Sequence, residues 1–142
     1  MFENDYLMRI ILQFVAALQR ALRETGVRPE AKAADLEQLV GEAVNIDARL
    51  LFSLAPDSLV SMLQLGDFDE GIAGYVLRSI YMEADLLDEA GLPERANLRR
   101  AQADAIAKAY GYDVSPADVT AEALEEFLNA QDEAKCSSGL KQ

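Results

Sequence analysis

Four prolines punctuate the 142-residue chain, and each has an acidic residue in the turn that follows: Pro29 with Glu30, Pro56 with Asp57, Pro93 with Glu94 and Pro116 with Asp118. Proline at the first helical position forfeits no hydrogen bond, and a carboxylate there meets the positive end of the helix dipole, so each pair marks a helix start. Gly26, Gly66, Gly91 and Gly111 each follow a periodic apolar run, where glycine takes the left-handed conformation that closes a helix. Between these marks the apolar residues recur at helical spacing, which predicts helices near 4–25, 29–44, 46–54, 56–65, 70–90, 93–110 and 121–134. No window alternates as a strand would, and no Asn-Gly or Asp-Gly hairpin turn occurs. The expectation is an all-α, compact multi-helix domain of about six or seven helices in antiparallel hairpins.

The first of these helices is the most apolar. Leu7, Ile10, Ile11, Phe14, Val15, Leu18 and Leu22 make the main stripe, and Met8 and Leu12 widen it to roughly half the circumference or more. Such a helix either runs through the middle of a helical domain or packs one face inside while the other meets a second chain. The second helix carries a stripe of Leu36, Leu39, Val40 and Ala43, and the fifth one of Ile72, Val76, Ile80 and Leu87 with the rings of Tyr75 and Tyr81. In the sixth, Ala96, Ala101, Ala103, Ala105 and Ala109 leave little bulk, so a neighbour can approach closely.

With 51% hydrophobic and 27% charged residues the chain reads as one folded domain, expected over 1–134, followed by a polar tail at 135–142 expected to be disordered. Cys136 is the single cysteine, so no internal disulfide can form. Glu3 and Asp5 stand where a signal sequence needs positive charge, and Arg9 and Gln13 interrupt the apolar run. A cytoplasmic location is the expectation from both features. No segment is long and apolar enough for a transmembrane span, and a net charge of −12 repels phosphate backbones and anionic lipid, so neither nucleic acid nor membrane is an expected partner.

From Ile80 to Ala103 the order of helix, short turn with Gly91 and alanine-faced helix follows the logic of one tetratricopeptide unit. Ile80, Ala84, Leu87, Gly91, Ala96 and Ala103 stand at spacings similar to that repeat's small and apolar positions, whereas Arg100 occupies a place where a bulky ring is usual. No further copy recurs at a fixed period, which points to a helical hairpin inside a compact domain rather than a solenoid. The stretches ENDYLMRIILQF and NIDARLLFSLAPDSLVSMLQLGDFD together resemble an uncharacterised family of small bacterial proteins without an assigned activity. That resemblance runs from about Glu3 to Tyr110 and rests on apolar and turn-forming motifs. It implies an all-helical protein, tetratricopeptide-like in its later half, with no catalytic residues to carry over.

Histidine is absent, which removes the commonest neutral-pH base and the commonest nitrogen ligand for transition metals. No GxxxxGK[ST] or GxGxxG phosphate loop occurs. Asp67, Asp69 and Glu70 offer oxygen ligands, but an EF-hand register starting at Asp67 would place Gly71 and Arg78 where ligands are needed. Asp69 reads better as a helix cap, with Asp67 and Glu70 solvated beside it. Glu83, Asp85, Asp88 and Glu89 precede the turn at Gly91, while Arg95, Arg99 and Arg100 follow it, so the two sets can pair across the hairpin as surface ion pairs. The sharper reading is a carboxylate clamp for a partner's acidic terminus, with Arg95, Asn97, Arg99 and Lys108 as candidates. Tyr110 and Tyr112 are expected to close a core edge, Met8, Met62 and Met82 to fill the core, and Cys136 to lack a base.

The expected function is therefore non-enzymatic, with no catalytic, cofactor or metal residues. The chain reads as a helical domain that acts through a protein partner or through self-association, with Leu7, Ile10, Ile11, Phe14, Val15 and Leu18 as the core or dimer helix. The alternative is a small ligand or a divalent metal held in an inter-helix cleft lined by carboxylates and tyrosine.

Overall fold

A computed structural model describes residues 9, 12, 13, 15, 16, 18–20, 23–66 and 70–113. All elements in this part are helical, with no strand among the described residues. The described residues of 9–23 belong to a leading helix; α1 follows over Pro29–Val44, α2 over Ala48–Ser53, α3 over Pro56–Leu65, α4 over Ala73–Glu89 and α5 over Pro93–Tyr110. The expected helix at 121–134, the tail at 135–142, Pro116, Cys136, Met8, Asp67 and Asp69 lie outside the described residues.

Prolines open α1, α3 and α5 at the first helical position, each with its acidic residue in the first turn. Gly91 and Gly111 close α4 and α5 with φ of 79° and 76°. At both, the next residue folds back: Leu92 N–H donates to Leu87 O at 2.9 Å, and Tyr112 N–H to Ala107 O at 2.8 Å. These are the six-to-one bonds of a Schellman closure. Gly66 departs from expectation. It is extended, at φ −89° and ψ −176°, and caps α3 through its N–H on Met62 O. Asn45 takes the left-handed role unforeseen, with φ 58°, and closes α1 with Ile46 N–H on Gly41 O at 3.0 Å. The third expected helix also shrinks from 46–54 to Ala48–Ser53, because Asp47 Oδ1 accepts from Arg49 N–H at 2.8 Å and so fixes the start. α4 begins after a single 3-10 turn at Glu70–Ile72, and Glu70 is exposed.

At the centre stands α4, packed against α1 on one side and α5 on the other. Ala73, Gly74, Tyr75, Val76 and Leu77 are consecutive and all buried, which a helix shows only when it has neighbours around most of its circumference. The leading helix reaches this core through Val15 and Leu18, buried to 4% and 0% exposure, whereas Leu12 is 48% exposed. Leu7, Ile10, Ile11 and Phe14 lie outside the described residues. Each fully buried Leu or Ile, such as Leu36, Leu77 and Ile106, contributes about 1.5–3 kcal/mol.

Small residues set the closest approaches. Ala96 and Ala103 are fully buried on α5, and with Ile80, Ala84 and Leu87 they make the α4–α5 hairpin tight at the tetratricopeptide-like positions. Gly41 lets α2 fold back on α1, since a Cβ there would stand 2.8 Å from Ile46 O and 2.9 Å from Ala48 Cβ. Tyr110, Tyr112 and Met82 are partly buried and pack against the core. Ser79, buried in α4, donates its hydroxyl to Tyr75 O at 2.7 Å, so it hides no unsatisfied group.

Candidate functional site

Four polar side chains occupy positions that helical spacing assigns to the core. On α5, Arg99 lies between Ala96 and Ala103, and Gln102 beside Ala103; on α4, Glu83 is next to Ala84; on α1, Glu37 is next to Leu36. Glu83 and Gln102 have no exposed surface, and Arg99 is 6% exposed.

The Arg99 guanidinium is the hub. Its Nε–H meets two carboxylate oxygens at once, Glu83 Oε1 at 2.7 Å and Glu37 Oε1 at 3.0 Å, and Nη2 donates to the same Glu37 oxygen at 2.7 Å. Nη1 donates to Phe52 O and to Gln102 Oε1, both at 3.1 Å. Gln102 Nε2 in turn donates to Phe52 O at 3.2 Å and to Leu54 O at 2.8 Å. The guanidinium also lies over the Phe52 ring, 4.7 Å from its centroid. One arginine and one glutamine thus join α1, α4 and α5 and satisfy the carbonyl end of α2, which a helix leaves unpaired.

Burial makes ionisation of both carboxyls costly. Desolvation, then the hydrogen bond and charge of Glu37, push the Glu83 carboxyl up to about 10, with Arg99 opposing. Glu37 moves the other way: burial disfavours its charge, but its hydrogen bonds with Glu83 and Arg99 and the charges of Arg99 and Arg95 hold it below the usual carboxylate range. The two directions oppose each other, so the pair favours a single proton, on Glu83. Glu83 Oε2 has no donor aimed at it among the described residues.

The clamp residues do not gather. Arg99 faces the interior, which removes it from an exposed anion site. Arg95 is half-exposed and engaged with Glu30 at 3.7 Å and Glu37 at 3.9 Å. Asn97 and Lys108 are exposed, eleven residues apart on one face of α5 and about half a turn from Arg95 and Arg99. Surface pairing across the hairpin holds for Arg100, which meets Asp85 at 3.0 Å and also Asp88. It fails for Arg99 and Glu83, whose pair is internal. Tyr81 donates its hydroxyl to Asp104 across the same hairpin, and burial followed by that bond raises its phenol.

Among the described residues, clefts open elsewhere. One of about 430 Å³ lies at the α1–α2 turn beside Gly41, Asn45 and Asp47; one of about 250 Å³ lies between Arg20, Glu24 and the Asp35–Glu42 face of α1; one of about 280 Å³ is lined by Leu63, Gln64, Glu70, Ala109 and Tyr110. None of the three is lined by Glu83, Arg99 or Gln102. No group of three or more acidic or cysteine side chains is close enough to hold a metal ion among the described residues, and none of their helices is long and apolar enough to cross a membrane.

The internal cluster was missed by a reading that assigned charged helix residues to water. The signal was its register: a charge on the apolar stripe of three different helices. No family model matches the chain, and neither does any curated protein or solved structure.

Proposed function

We propose that the protein is a non-catalytic interaction module that self-associates through its leading helix. The observation that carries this reading is the partial cover of that helix: Val15 and Leu18 enter the core while Leu12, about 60° from Val15 around the helix, keeps 48% of its surface in water. In the sequence Leu12 belongs to a run that also holds Leu7, Met8, Ile10, Ile11 and Phe14, a broader apolar stripe than one core contact needs, and a second copy would cover the remainder. The most strongly perturbed carboxyl, Glu83, supports the non-catalytic part, since it joins helices and lines none of the three clefts. Light scattering during size exclusion tests the seam. The wild type is expected at twice the chain mass, and Leu12→Glu as a folded monomer with unchanged helicity. A monomeric wild type, or a Leu12→Glu dimer of unaltered stability, overturns it.

One observation favours a second reading. The cleft with Glu70 and Tyr110 matches an inter-helix site of carboxylate and tyrosine, and burial with the nearby Glu70 charge raises the Tyr110 phenol. It would take a small polar ligand. A gain in melting temperature with such a ligand, lost in Tyr110→Phe, would favour it over the seam.

A further inference from the structure

Two carboxyl groups converging on a single N–H is an arrangement that charge alone disfavours. Glu83 Oε1 and Glu37 Oε1 both lie within 3.0 Å of Arg99 Nε, and Glu83 is without exposed surface. Were both ionised, two negative charges would share one buried guanidinium, helped only by half-exposed Arg95 at 3.9 Å from Glu37. From α5 the remaining facing group is neutral Gln102, and from α2 it is the Phe52 carbonyl, which is itself an acceptor. Glu83 Oε2 would then stand buried with no donor. A single proton removes one of the two charges, and on Glu83 it also spares the protein a buried anionic oxygen without a donor.

We propose that Glu83 and Glu37 hold a proton between them in the folded protein, and that at neutral pH α1 leaves the α4–α5 hairpin by giving that proton to water. This makes the docking of α1 a proton-coupled device, independent of the self-association reading. The direction follows from linkage. Glu83 is protonated when α1 is docked and ionised above its ordinary value when α1 is free, so this contribution to docking is complete below about pH 4.5 and falls as pH rises toward about 10. Across that window each pH unit should raise the opening constant tenfold, the signature of one proton released.

Without histidine, no side chain but the Cys136 thiol ordinarily titrates between pH 6 and 8.5, and a Cys136→Ser background removes that thiol. Native-state hydrogen exchange of the α1 amides, corrected for intrinsic exchange rates, reads the opening constant directly. A rise of about tenfold per pH unit is expected in the parent. Glu83→Gln keeps the shape and an N–H toward Glu37 but carries no titrating proton, so its opening constant should be flat. Glu37→Gln removes the second carboxylate, lets Glu83 ionise against Arg99, and should also flatten the profile. A parent slope under threefold per unit, or a tenfold slope that persists in whichever of the two variants folds, overturns the proposal.

Discussion

Arg99 and Arg100 are neighbours in sequence, sit on the same helix and each pair with acids of α4, yet they belong to different physical regimes. Arg100 is at the surface with Asp85 and Asp88, and those bonds hold its charge while water screens them. Arg99 is buried among Glu83, Glu37, Gln102 and the Phe52 carbonyl, where each of its three nitrogens has at least one protein acceptor within 3.1 Å. One step of about 100° around a helix separates a replaceable ion pair from one that organises the core. Each arginine meets two carboxylates; the difference is what remains when a partner is taken away.

That contrast can be broken by truncation. Arg99→Ala should have the largest effect, about 3–5 kcal/mol, because it takes the guanidinium from Glu37 and Glu83 and the donor from Gln102 Oε1 inside the protein. Set against a total stability of about 5–15 kcal/mol, the loss should appear as a large drop in the urea midpoint followed by circular dichroism. Gln102→Ala should cost about 1–3 kcal/mol, since it leaves Leu54 O without its donor but keeps the ion pair. Arg100→Ala should cost about 0–1 kcal/mol and less still at high salt. Equal losses for Arg99→Ala and Arg100→Ala would show that burial is not what distinguishes them.

Helix boundaries were most legible where backbone chemistry allows few alternatives. Pro29, Pro56 and Pro93 stand at the starts of α1, α3 and α5, and Gly91 and Gly111 at the ends of α4 and α5. Gly66 misled because glycine permits a left-handed conformation without requiring it, and Asn45 was overlooked although asparagine is the next best residue for it. Asp47 also carried a visible capping signal. The polar core was harder to read. Nothing local tells Glu83 from Asp85 on α4; only placing 80, 84 and 87 on one stripe, and then 96, 103 and 106 on another, shows that Glu83 and Arg99 must share the space between them. Glu37 completes the cluster from 62 positions away, a separation at which spacing within one helix is silent.

At six residues, α2 is well below the 12–15 at which an isolated helix becomes even marginal in water. Its beginning is secured locally by Asp47 and its Leu50 and Leu51 carbonyls by Ser53 and Leu54, but Phe52 O and Leu54 O take their donors from Arg99 and Gln102, which arrive from a helix about fifty residues downstream. A nascent chain emerging in order would therefore carry this turn as unformed coil until the α4–α5 pair had assembled, and only then could it wind. Sequence order and the order of becoming structured run in opposite directions here.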